Sequence, residues 1–230
     1  MKKLAILACA LVALAAMPAA AANSLAVTPA AALQGSNYGL AVTNDFATHN
    51  DVYVSSQHPS DETIYRFSFR IFPGNLPAPT VESDYLIGFV RTNGGARPWS
   101  IPIYLRRQNE YWTLQTNTRQ DNDQFPAWNF ALKICGNENT VIPCSVYEWG
   151  GVQFEFEYHT ATSPGASDGW MRVKKVGTAE MAMFSNLTNY TRTVTEIRWG
   201  AIFQGNSINR PTGPGTYHFD DFESYRTAAP

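Results

Sequence analysis

Apolar and polar residues alternate with a period of two along most of this chain. In "ETIYRFSFRIF", Glu62 to Phe72, the residues Tyr65, Phe67, Phe69 and Ile71 share one face, while Ile64, Arg66, Ser68 and Arg70 share the other. Successive side chains of a strand point to opposite faces, so the pattern predicts a strand with one core face and one mostly wet face. The same period predicts strands in "YGLAVTN" from Tyr38, "DVYVSS" from Asp51, "YLIGFVRT" from Tyr85, "IPIYLRR" from Ile101 and "YWTLQTNTRQ" from Tyr111. Further along it predicts them in "WNFALKIC" from Trp128, "VQFEFEYHT" from Val152, "GWMRVKKVG" from Gly169, "VTEIRWGAIF" from Val194 and "GTYHFDDFESYR" from Gly215. Helical spacing of apolar residues is absent from these stretches.

Between the strands stand "FPGN", "TNGGARP", "TSPGASDG" and "NRPTGPG", whose glycines and prolines suit tight turns. About a dozen short strands without intervening helices predict an all-β fold of two packed antiparallel sheets, a sandwich or jelly roll. Aromatic residues make up 13% of the chain, which suits a core about 10 Å thick between facing sheets.

The pattern breaks at the start. "MKKLAILACALVALAAMPAAAANS" has basic Lys2 and Lys3, an apolar run from Leu4 to Met17, and small residues up to Ala22. This is the form of a secretory signal peptide, and its apolar run is shorter than the roughly 18–20 residues a membrane span needs. Residues 1–22 are therefore expected to be a cleaved leader, and 23–230 a single domain that is secreted, periplasmic or attached to the cell envelope. The 17 basic residues, two of them in the leader, face 19 acidic ones, so neither a nucleic acid nor a membrane surface is an expected partner. Outside the leader the cysteines are Cys135 and Cys144. In an exported protein such a pair is expected to form a disulfide, worth about 2–3 kcal/mol for so short a loop.

Candidate chemistry concentrates on "VQFEFEYHT". Alternation turns Val152, Phe154, Phe156 and Tyr158 inward and aligns Gln153, Glu155, Glu157 and His159 on the opposite face. Two carboxylates at that spacing would suit cleavage of a glycosidic bond, but from spacing alone a solvated outer face carrying ordinary acidic residues is the favoured reading. Gly-x-Ser-x-Gly, Ser-x-x-Lys and His-Glu-x-x-His motifs are missing, and the four histidines are scattered. Trp99, beside Pro98, and Trp149, before two glycines, are the tryptophans placed to offer a sugar an exposed ring, whereas Trp128 and Trp199 fall in apolar alternation and read as core.

Taken in order, "AALQGSNYGLAV", "PSDETIYRFSFRIF", "FEFEYHTATSPGASDGWMRVKKVG", "IRWGAIFQG" and "GTYHFDDFESYR" resemble exported bacterial proteins of the concanavalin A-like lectin/glucanase superfamily. The resemblance implies a concanavalin A-like, LamG-like jelly roll over nearly all of the mature chain. Glucanases of that fold carry Glu-x-Asp-x-Glu on one strand. Here Glu155 takes the first place, Glu157 stands for the Asp and His159 for the last Glu, so two of three roles are altered. The resemblance also implies a structural calcium held by an aspartate of the final strand, to which Asp221 corresponds, the alternative being that Asp221 caps nearby backbone N–H groups with no ion.

The resulting expectation is a non-catalytic, lectin-like protein that binds a polysaccharide or other glycan through Glu155, Glu157 and His159, aided by Trp149 and Trp99. The first alternative is a polysaccharide-cleaving hydrolase or lyase using Glu155, Glu157 and His159. The second is an adhesive or structural envelope protein whose partner is a protein.

Overall fold

A computed structural model describes residues 23–45, 50–76, 83–108, 111–126, 130–136, 150–202 and 214–226. Among the described residues are thirteen strands and one short 3-10 turn, Pro29–Ala31. The first sheet has the order β1 (Ser24–Thr28), β2 (Gly39–Asn44), β13 (Gly215–Arg226), β4 (Ile64–Phe72), β9 (Val152–His159), β10 (Gly169–Lys175) and β11 (Met181–Leu187). The second has the order β3 (Val52–Glu62), β12 (Val194–Ala201), β5 (Ser83–Thr92), β6 (Trp99–Gln108), β7 (Tyr111–Thr116) and β8 (Phe130–Gly136). Every pairing is antiparallel. The fold is a concanavalin A-like jelly roll, as expected.

Alternation explains the layers. Tyr65, Phe67, Phe69 and Ile71 of β4 and Phe154, Phe156 and Tyr158 of β9 are buried between the sheets. They meet Ile101, Ile103 and Leu105 of β6 and Ile197 and Trp199 of β12 from the other side. Phe67 stacks on Phe156 at 4.5 Å, and Trp199 crosses the interface to lie 4.4 Å from Phe69. Each large side chain so buried contributes roughly 1.5–3 kcal/mol.

Two breaks in the alternation shape the surface. The register of β5 against β6 shifts between Leu86 and Gly88, a bulge that changes the phase of the strand. Val90 consequently joins the main core, while Leu86 and Phe89 form a separate cluster with Ile202 and Tyr104 on the outer face. In "YWTLQTNTRQ" the strand ends at Thr116, four residues earlier than alternation predicts, and the chain turns into a loop.

Candidate active site

The outer face of the six-stranded sheet holds a polar cavity of about 330 Å³. Tyr104 and Arg106 reach it from β6, Asp84 from β5 and Gln115 from β7. The register explains their convergence: Asp84 pairs across strands with Arg106, and Tyr104 with Gln115. Arg106 Nε lies 3.1 Å from the Asp84 carboxylate, and its Nη1 donates to the Gln115 carbonyl oxygen at 3.2 Å. Gln115 thereby keeps its amide NH₂ as a donor. The planar guanidinium fork is thus oriented from two sides, a form suited to gripping a carboxylate.

One end of the cavity is walled by Asn117, Phe125 and Pro126 from the loop that follows β7. That loop is anchored by the fully buried Arg192. The Arg192 guanidinium donates to the carbonyls of Gly94 (2.9 Å), Arg97 (2.8 Å) and Gln120 (3.0 Å) and forms an ion pair with Asp123. Asp123 also accepts the N–H groups of Ala96 and Arg97. The hydrogen bond from Arg192, reinforced by these amides, lowers the Asp123 carboxyl to about 2. Arg119, from the same loop, lies over the Phe125 ring at 4.0 Å and within electrostatic range of Tyr104. Burial, with Arg97 nearby, lowers the Arg119 guanidinium from its ordinary value.

Positive charge collects on this side of a net acidic chain. Arg91, Arg106 and Arg198 project from the strands and Arg97, Arg119 and the buried Arg192 belong to the loops, against Asp84, Asp123 and Glu196. Burial alone would raise Glu196, but Arg198 at 2.7 Å and Arg91 at 3.2 Å outweigh it and hold the carboxyl below its usual range. Trp99 is exposed here, stacked on Phe89 at 5.4 Å. It is the one candidate from the sequence that the fold brings to this face among the described residues.

Glu155, Glu157 and His159 lie on the far side of the molecule, on the outer face of the seven-stranded sheet. Glu157 is buried beneath Arg66 and Arg172, with His159 Nε2 at 3.2 Å. Its desolvation is more than offset by His159 and the two arginines, so the carboxyl stays ionised to lower pH than usual. The His159 ring is covered by Trp170 at 3.9 Å. These contacts make Glu157 the centre of a closed ion-pair cluster, while Glu155 stays half exposed, 4.0 Å from Arg172. Trp149, also expected on the ligand surface, lies outside the described residues.

Asp221 adopts a positive φ of 49° and pairs with Arg70 at 3.0 Å. The capping role belongs to its neighbour: Asp220 accepts the Leu33 N–H at 2.6 Å, the Ser36 hydroxyl and the Asp221 N–H at 2.8 Å. Two backbone N–H groups, the Ser36 hydroxyl and the Arg70 guanidinium are the groups that these contacts place on the two carboxylates. Among the described residues no three His, Cys, Asp or Glu side chains gather at metal-binding distance. Cys135 is buried at the end of β8, and its expected partner Cys144 lies outside the described residues, as do the leader and Trp128. No described helix is long and apolar enough to cross a membrane.

Sequence reasoning missed Tyr104, Arg106 and Gln115. The signal was present as polar residues at alternate positions of "IPIYLRR" and "YWTLQTN", but only the register between strands makes them neighbours.

The fold is similar to that of solved enzymes. Alginate lyase vAL-1 from Chlorella virus superposes with a TM-score of 0.56 at 13% identity, over 89% of this chain and 90% of that one. Alginate lyase Aly36B, in complex with an alginate trisaccharide, gives 0.53 at 15% identity over 89% and 88%. Alginate lyase A1-II' gives 0.51 at 8% identity over 82% and 80%. No protein-family model and no curated protein sequence matches the chain. These likenesses correct the expectation of a non-catalytic, lectin-like protein: the three structures just described are named as alginate lyases, which favours the enzyme alternative.

Proposed function

We propose that this protein is a polysaccharide lyase that cleaves a uronate-containing glycan, alginate being the first substrate to test, in the cavity between Tyr104, Arg106 and Gln115. The observation that carries the reading is the oriented Arg106–Gln115 pair beside Tyr104 on an arginine-rich sheet face. Elimination from a uronate removes the proton next to its carboxylate, breaks the bond to the glycosidic oxygen, and leaves a double bond in the sugar ring. The unfavourable step is build-up of negative charge on the carboxylate as the proton departs. Donors fixed before the reaction lower that barrier most effectively, and Arg106 with the Gln115 amide supplies them. Tyr104 is the residue of the cavity lining suited to move the proton, since the other acid, Asp84, is committed to Arg106. The ring that loses its proton would sit over Tyr104, with neighbouring sugars running toward Trp99.

The reading is tested by incubating purified protein with alginate and other polyuronates and following the ultraviolet absorbance of unsaturated product. Arg106→Ala is expected to lower kcat/KM by about 10²–10³-fold, and Tyr104→Phe by at least about 10²-fold. Glu155→Gln should leave turnover intact. Absence of unsaturated product from every polyuronate, or full activity in both Tyr104→Phe and Arg106→Ala, would overturn the assignment.

A further inference from the structure

Trp99 is 46% exposed, yet its ring is braced: one face stacks on the buried Phe89 at 5.4 Å, with the two planes 17° apart. Phe89 is held in turn by Arg198, whose guanidinium lies 5.3 Å from its centroid and 4.3 Å from that of Tyr53. The exposed part of the indole is therefore its outward face and edge. A ring that is already ordered costs little further immobilisation when a ligand stacks on it.

Arg91 stands directly opposite Trp99 across β5 and β6. Side chains paired in this way share a face of the sheet, with Cβ atoms about 4.5–5.5 Å apart. The Arg91 side chain is partly exposed, and its Nη1 goes to Glu196 at 3.2 Å. Glu196 also takes Arg198 Nε at 2.7 Å and Nη2 at 3.0 Å. Two guanidiniums thus meet one carboxylate, which leaves one positive charge beside the Trp99 platform.

An aromatic face with a guanidinium at its rim complements a pyranose that carries a carboxylate. The ring C–H groups lie on the indole, and the carboxylate takes the Arg91 fork. A neutral sugar would leave the surplus charge unanswered. Neither residue lines the cavity around Tyr104. Trp99 and Tyr104 are five positions apart on β6, about 17 Å at the rise of a strand. We infer that Trp99 and Arg91 form an accessory site for one uronate unit, separate from the cavity, which anchors any polysaccharide chain long enough to reach both. The inference rests on the lyase reading for the identity of the polymer.

The test compares alginate polymer with alginate trisaccharide, which is too short to occupy both places, using the full chain in turnover and in calorimetry. Trp99→Ala and Arg91→Gln are each expected to raise KM for the polymer about 3–10-fold more than KM for the trisaccharide, the worth of one stacked ring or one charged hydrogen bond. Trp99→Phe keeps a ring and Arg91→Lys a charge, so each should recover part of the loss. A merely disturbed fold would not discriminate by substrate length. Calorimetry reads the same site without turnover: both variants should bind the polymer about 3–10-fold more weakly, whether or not unsaturated product forms. Equal effects on the two substrates, or polymer affinity unchanged in Trp99→Ala and Arg91→Gln, would overturn the proposal. Wild-type protein that does not bind the polymer would do the same.

Discussion

Arg192 has no accessible surface and holds three backbone carbonyls together with Asp123, so its removal strands several acceptors at once. Leaving buried backbone acceptors without a donor costs about 1–3 kcal/mol. Arg192→Met should therefore lower the urea midpoint strongly and, by loosening the loop that carries Asn117 and Phe125, raise KM in the lyase assay more than Arg192→Lys does. Asp221 presents the opposite case. Its pair with Arg70 is partly exposed and worth at most about 1 kcal/mol, and asparagine tolerates its positive φ well. Asp221→Asn is expected to shift stability by less than that amount. A calcium-induced rise in Tm that Asp221→Asn abolishes would instead assign an ion to this position. In both cases the sequence displays the residue without its partners, which lie about 70 and 150 positions away.

At the scale of elements, alternation was legible wherever one face is fully buried and the other wet, as in β4 and β9. It failed where both faces carry apolar side chains. In β11, "MAMFSNL", Ala182 and Phe184 are buried while Met181 and Met183 are exposed, so the sequence shows no contrast between faces. Strand β1 is an edge strand with mostly exposed residues, and a strand that buries little leaves little pattern. The bulge at Gly88 was equally invisible, although it decides that Phe89 supports Trp99 on the outer face rather than entering the core. Glycine is required there because the Trp199 ring and the Arg198 carbonyl, at 2.8 Å, occupy the space of a side chain. Gly88→Ala should force β5 and β12 apart and cost about 1–3 kcal/mol, read as a lower Tm and urea midpoint.

At the scale of the whole molecule, charge is sorted between two outer faces, and the two sortings predict different responses. On the seven-stranded sheet Glu157, and on the other Glu196 and Asp123, are held below their ordinary values of 4.5, 4.5 and 3.8. Carboxyls with lowered folded values stabilise the fold fully above their unfolded values and lose that contribution as pH falls through the folded ones. Stability should thus hold down to about pH 4.5 and decline as pH falls further, with the Asp123 carboxyl titrating at about 2. Urea midpoints measured across that window check this, and a midpoint unchanged down to pH 2 would contradict it. The arginine-rich face predicts a response of function rather than of folding. Arg91, Arg97, Arg106, Arg119 and Arg198 present positive charge to solvent on a chain whose net charge is −2, so their attraction for a polyanion is local and open to screening. Raising salt from about 0.01 M, where the screening length is about 30 Å, to about 1 M, where it is about 3 Å, removes the field but spares contacts made within the cavity. KM for alginate should then rise several-fold while kcat changes little, because the Arg106 and Gln115 contacts act at hydrogen-bond distance. A KM that ignores salt would show that these arginines serve only their contacts within the protein, and would move the substrate surface elsewhere on the sandwich.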